Sequence, residues 1–67
     1  MAISYNGLWK MLNKKNMYKK DLVEGLNISS ATMAKMGKGE IVSLEVLQRI
    51  CEYLECDIGD IMSFEKR

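Results

Sequence analysis

Histidine and proline are both absent from this 67-residue chain, cysteine occurs twice, and tryptophan and phenylalanine occur once each. Each shortage removes a class of explanation. Without histidine, general acid-base chemistry loses its usual proton carrier at neutral pH. No paired carboxylates, phosphate-cradling glycine loop or activated nucleophile takes its place, so catalysis is not expected. Two cysteines cannot complete a four-ligand zinc site within one chain, which leaves only a site shared between two chains; no metal or cofactor is expected. Cys51 and Cys56 stand five apart on or beside one helix, where their side chains point in different directions. Two free thiols in a reducing compartment are the expectation, Cys51 as a small buried hydrophobe and Cys56 at a helix end. Long apolar runs are missing as well. The opening MAISYNGLWK has no signal-peptide character and no stretch approaches the length that crosses a bilayer, so a cytoplasmic location without membrane association is expected. With no repeat, low-complexity tract or linker, residues 1–67 read as one domain near the lower size limit of a stable core.

What is present is apolar periodicity. Hydrophobic residues make up 48% of the chain with charges dispersed among them, which favours a compact all-α fold over disorder or an all-β architecture. Tyr5, Leu8, Trp9 and Leu12 mark a first helix over about Tyr5 to Lys15, with Ser4 as N-cap and Asn16 ending it. Leu22, Val23 and Leu26 form the stripe of a second helix over Lys19 to Leu26, for which Tyr18 is a poor capping residue. Ile28 follows Asn27 directly, and Met33 with Met36 begins a new stripe in a different phase. A change of phase across so few residues is a change of direction, and the stretch from Lys19 to Lys38 therefore outlines a helix-turn-helix. Asn27 falls where the turn needs positive φ, Ser29 or Ser30 caps the third helix, and Gly37 to Gly39 releases it.

A connector, Glu40-Ile41-Val42, leads to Ser43, a cap for a fourth helix carrying Leu44, Leu47, Ile50, Cys51 and Leu54. Asp57 starts a short fifth helix that turns Ile58, Ile61 and Met62 toward the core. Five helices and no sheet are predicted. Most of the six methionines, Met11, Met33, Met36 and Met62 among them, fall on or near these stripes and read as core filling.

The net charge of +1 conceals a polarity along the chain. Residues 1–38 carry seven lysines against Asp21 and Glu24, a balance of +5, whereas residues 39–67 carry three basic residues against seven acidic ones, a balance of −4. Such a molecule approaches a polyanion with its N-terminal half foremost. The residues left outside the third helix's apolar stripe are small, hydroxyl-bearing or basic: Ser29, Ser30, Ala31, Thr32, Ala34, Lys35 and Lys38. This set suits the major groove of double-stranded DNA. Lys35 reaches guanine O6 and N7, Ser30 and Thr32 donate or accept, and Ala31 or the Thr32 methyl packs on a thymine methyl. Lys19 and Lys38 fix the register on phosphates, with Lys14, Lys15 and Lys20 clustered nearby. Trp9 and Tyr18 read as core rim rather than as platforms for bases.

MYKKDLVEGLNISSATMAKMGKGE followed by SLEVLQRICEYLECDIGDIM resembles the lambda-repressor-like, Cro-type helix-turn-helix regulators of bacteria and phages. The likeness spans nearly the whole chain and implies a five-helix DNA-binding fold in a small transcriptional regulator, a repressor, with a recognition helix over about 29–38. Leu22, Leu26, Ile28, Met33 and Met36 match core positions of the family motif, and Asn27 matches its turn glycine. Lys19 stands where the family has a glutamine that contacts phosphate or buttresses the recognition helix. Ser29, Ser30, Ala31, Thr32 and Lys35 match the groove-facing positions. Val23 replaces the alanine favoured at the helix crossing, and Gly37 replaces an acidic residue often found before the basic-glycine pair. With only about three or four phosphate contacts per copy, binding by one copy is weak, and a homodimer, formed or strengthened on a palindromic site, is expected. Val46 and Tyr53, seven apart on the fourth helix, with Phe64 nearby, suggest an outward apolar strip for it. The rival reading is a protein-interaction or antitoxin-like module with weak or no DNA binding, since fold does not fix function.

Overall fold

The computed structural model describes residues 2–65. The elements in chain order are β1 (Ala2–Ser4), α1 (Asn6–Lys14), α2 (Lys19–Leu26), α3 (Ser30–Gly37), α4 (Leu44–Leu54), α5 (Ile58–Ile61) and β2 (Ser63–Glu65). The five helices fall where the apolar periodicity places them, although Ile58, expected to turn to the core, is exposed, and most of the local signals that start and stop the helices act as their chemistry dictates. Asn16 and Asn27 adopt left-handed backbone conformations at φ 57° and 56°, ending α1 and α2. Ser29 Oγ accepts the Thr32 N–H at 3.1 Å and Ser43 Oγ accepts the Val46 N–H at 3.2 Å, capping α3 and α4. Asp57 caps α5, with the Asp60 carboxylate accepting the Asp57 N–H in return.

Of three local expectations two are corrected, and one holds with a compensating partner. Tyr5, not Ser4, stands at the N-cap of α1 and makes no side-chain cap bond, while the Ser4 hydroxyl accepts the Asn6 N–H at 3.3 Å just ahead of the helix. At α2 the weakness of Tyr18 as a cap is offset from the other side: the Asp21 carboxylate reaches back to the Tyr18 N–H at 2.7 Å. The absence of a sheet was the third. β1 and β2 pair antiparallel, Ala2 with Glu65, Ile3 with Phe64 and Ser4 with Ser63, so the two ends of the described chain are stitched together beside α1 and α5.

The core collects Tyr5, Leu8 and Leu12 from the N-terminal segment, Leu22 and Ile28 around the turn, Met33 and Met36 from α3, Leu47, Ile50 and Leu54 from α4, and Ile61 from α5. Leu8, Leu22, Met36, Ile50 and Ile61 are fully buried, each contributing about 1.5–3 kcal/mol by leaving water. Leu44 departs from its stripe. As the first residue of α4 it projects past the edge of the core and is 70% exposed. Val46, expected on an outward strip, packs against the core instead. Tyr53 lies over α2, its hydroxyl so close to Gly25 that a Cβ there would sit 3.1 Å away. The strip proposed for Val46, Tyr53 and Phe64 therefore does not exist as one surface.

Close packing also fixes α1 against α5. A Cβ on Gly7 would run into the backbone carbonyl of Asp60, so only glycine permits this approach. The thiols of Cys51 and Cys56 are free, and Cys56 donates its backbone N–H to the Cys51 carbonyl at 3.0 Å, a turn that keeps the two residues neighbours at the end of α4. Burial, followed by the neighbouring Cys56 and the charges of Asp57 and Asp60, pushes the Cys51 thiol up to about 11.

Candidate nucleic-acid interface

The turn between α2 and α3 is held from within. Ile28, 4% exposed, drives into the core directly after the left-handed Asn27, and the carbonyl of Leu26 accepts a hydrogen bond from the Arg49 guanidinium on α4. That bond ties the end of α2 to the helix beneath it. Arg49 was not singled out in the sequence, because nothing local marks a basic side chain whose partner is a main-chain oxygen 23 residues away.

Met33 and Met36 fasten one side of α3 to the core, which leaves the opposite side in solvent. Ser29, Ser30, Ala31, Ala34, Lys35 and Lys38 are exposed, and Thr32 is half-buried. The hydroxyls of Ser29 and Thr32 lie 2.9 Å apart in a mutual hydrogen bond at the start of the helix. Ser30 is thus the hydroxyl of this group not committed to the cap. Helix geometry leaves the first amide groups of α3 without acceptors in the helix, and Ser30 and Ala31 are its first two residues, so positive potential gathers at the same end. Lys38 sits at the far end, its backbone N–H used by the carbonyls of Ala34 and Lys35 and its side chain exposed.

Lys19 occupies the seam. Its ammonium lies 4.3 Å from the centroid of the Trp9 ring, and 3.9 Å from where a Cβ on Gly37 would stand, so the side chain bridges α1 and the last turn of α3. Trp9 is half-buried against the core and Tyr18 is 70% exposed, with Lys20 Nζ 5.8 Å from the Tyr18 ring. Together with Asn13 and Met17 these aromatics and lysines frame a cleft of about 550 Å³ beside the start of α2. Lys19 and Lys20 line both that cleft and the shallow groove between α2 and α3, whereas Lys14 and Lys15, expected beside the same surface, line a separate cleft with Leu54, Glu55, Cys56 and Asp60.

A family description, the Cro/C1-type helix-turn-helix DNA-binding domain, matches residues 7–67. The chain belongs to this family. The uncharacterized HTH-type transcriptional regulator YozG of Bacillus subtilis strain 168 is 36% identical over 66 residues, covering 96% of this chain and 77% of that protein. The crystal structure of the transcriptional regulator VanUg shares 50% sequence identity and superposes with a TM-score of 0.94, covering 98% of this chain and 88% of that one. The Cro/C1-type assignment makes the chain a helix-turn-helix DNA-binding domain. No helix among the described residues is long and apolar enough to cross a membrane. No three or more cysteine or carboxylate side chains among them group to hold a metal ion.

Proposed function

We propose that this Cro/C1-type chain acts as one helix-turn-helix unit, a small repressor in the cytoplasm that inserts the N-terminal flank of α3 into the major groove of double-stranded DNA. The observation that supports the reading most is the two-sidedness of α3: Met33 and Met36 anchor it while Ser30, Ala31 and Lys35 stand free of the protein surface. Lys35 is the principal reader, its ammonium directed to guanine O6 and N7, with the Ser30 hydroxyl as a second polar contact and Ala31 and the Thr32 methyl against thymine. Ser29 holds the flank in shape through its cap. Lys19 and Lys38 take phosphates on either side, and Lys19 does so by exchanging the face of Trp9 for a phosphate oxygen. Two alanines in the reading surface, Ala31 and Ala34, are too short to hydrogen-bond a base, so each copy reads few positions.

One copy engages about three or four phosphates, and each contributes roughly 0.9 to the slope of log affinity against log salt. Pairing of two copies on a palindromic site raises affinity and doubles the sequence read. With the site occupied, a promoter that overlaps it is blocked. Selection from random duplexes at two salt concentrations tests the proposal. An enriched two-fold symmetric motif whose retention falls steeply with salt is the expected result; no enrichment at either salt overturns it in favour of a protein-interaction role.

A further inference from the structure

Cys51 and Cys56 are the only thiols of the chain, and the DNA-binding reading uses neither. On an uninterrupted helix, residues five apart carry side chains about 140° apart around the axis. The end of α4 breaks that relation. The helix stops at Leu54, Glu55 takes a left-handed conformation at φ 54° and ψ 54°, and the chain turns back until the Cys56 N–H meets the Cys51 carbonyl at 3.0 Å. This is the closing bond of a Schellman turn, in which the side chain just after the left-handed residue commonly packs on the one four positions before it. Here those two are Cys56 and Cys51. Standard bond lengths and a 3.0 Å hydrogen bond hold their Cα atoms within about 7 Å, and the bends at oxygen and nitrogen shorten this into the range that a disulfide spans. Both residues are half-buried against the same core, and Cys56 follows burial among the causes that push the Cys51 thiol up.

The two thiols differ in access. Cys56 lines a cleft of about 540 Å³ together with Met11, Lys14, Lys15, Leu54, Glu55 and Asp60, whereas Cys51 does not line it. We propose that Cys51 and Cys56 form a modification site, a dithiol that a hydroperoxide entering this cleft converts to a disulfide within one chain. The Cys56 thiolate attacks one peroxide oxygen and the O–O bond breaks, leaving a sulfenic acid on Cys56. The other oxygen departs as an anion beside the positive charges of Lys14 and Lys15, and the proton that Cys56 gave up reaches it through water. The Cys51 sulfur then displaces the sulfenic hydroxyl, the S–S bond forms, and that hydroxyl leaves with the Cys51 proton as water. Two thiols lose one electron each and the hydroperoxide gains both. A thiol reductant reverses the step by exchange through a mixed disulfide, so in a reducing compartment the bridge is transient, as redox-sensing disulfides are. Neither cysteine stands on α2 or α3, and the bridge pins the end of α4 without touching the groove-reading flank.

The reduced full chain, treated at neutral pH with an equimolar amount of hydrogen peroxide, then unfolded, alkylated with excess N-ethylmaleimide and analysed by intact-mass spectrometry, tests the proposal. The expected result is a monomer lighter by two hydrogens that takes up no label, against labelling of both cysteines before treatment and again after dithiothreitol. Cys51→Ala is expected to leave Cys56 as a sulfenic acid that dimedone captures. Cys56→Ala is expected to leave Cys51 as a thiol that peroxide consumes about tenfold or more slowly than the wild-type pair. The bridged chain is expected to unfold at a higher urea concentration than the reduced one, because the native turn already holds the two residues together. The labelling and urea measurements use the wild-type chain and decide the matter even where a variant fails to fold. A chain that keeps both labels after peroxide overturns the proposal. So does a disulfide that joins two chains in place of one within a chain, or a bridge that lowers the urea midpoint.

Discussion

At α3 the buried pair Met33 and Met36 carries Ser30, Ala31 and Lys35 outward, whereas at the α3–α4 connector the buried Tyr5 carries Ile41 outward onto a groove that Leu44, Ile58 and Phe64 also line. Glu40, Glu45, Asp57 and Glu65, all exposed, adjoin these four in the chain. The two faces share a construction, exposed side chains on a frame that the core holds fixed, and differ in what they show to solvent. One shows ammonium and hydroxyl groups, which gain from a polyanion and lose to salt. The other shows hydrocarbon rimmed by carboxylates, which repels nucleic acid and gains by leaving water. A net charge of +1 therefore describes neither face, and the half-chain balances of +5 and −4 come closer to the working electrostatics. Lys66 and Arg67, counted in the acidic half, lie outside the described residues.

The contrast is broken most severely by reversing charge on the first face. Lys35→Glu with Lys38→Glu is expected to lower duplex affinity on the order of 100-fold or more, since single base or phosphate contacts each carry about 1–3 kcal/mol. Fluorescence anisotropy with a labelled duplex measures it, and circular dichroism is expected to show an unchanged fold because both side chains are exposed. Gly7→Ala strikes beneath the second face. The new methyl meets the Asp60 carbonyl, prises α5 from α1, and is expected to cost about 1–3 kcal/mol in urea unfolding.

Ser29→Ala removes the cap that shapes the reading flank, with an expected loss of about 1 kcal/mol of stability and a weaker grip on DNA. The same change at Ser43 is expected to match the stability loss but to spare affinity for a single half-site, which separates cap from interface. The smallest effect belongs to Cys51. Its folded thiol holds a proton up to about pH 11, above the ordinary value of 9.0. The stability this contributes is present below about pH 9 and is lost as pH climbs toward 11, so unfolding midpoints decline over that window and Cys51→Ala flattens the decline. Alkylation of Cys51 in the native protein is expected to stay slow at neutral pH and to accelerate only near pH 11.

The helix-turn-helix was legible because its signals are local. Asn27 at the turn, Ser29 and Ser43 at caps, and the phase shift from Leu26 to Met33 each act through neighbours a few residues away in sequence. The features that stayed hidden depend on distant partners. β1 and β2 are three residues each and pair across nearly the whole chain, too short to show alternation. Arg49 meets the Leu26 carbonyl and Tyr5 meets the Glu40 carbonyl only after the helices have packed. Leu44 keeps the phase of a core stripe, and periodicity does not reveal that the first turn of α4 overhangs the core. The acidic and apolar face is invisible in the sequence for that reason: its residues come from four segments that only the tertiary structure joins, whereas the basic face lies along one helix and its flanks.

Amide chemical-shift mapping of the labelled chain, titrated with a duplex recovered by selection, tests the division of labour most directly. The expected result is that the largest shifts fall on Ser29 to Lys38 and on Lys19, at a protein concentration where a single half-site duplex keeps the chain monomeric, with Ile58 to Glu65 quiet. Shifts concentrated on Ile41, Leu44, Ile58 and Phe64 with α3 unmoved would contradict the assignment of α3 as the helix that enters DNA.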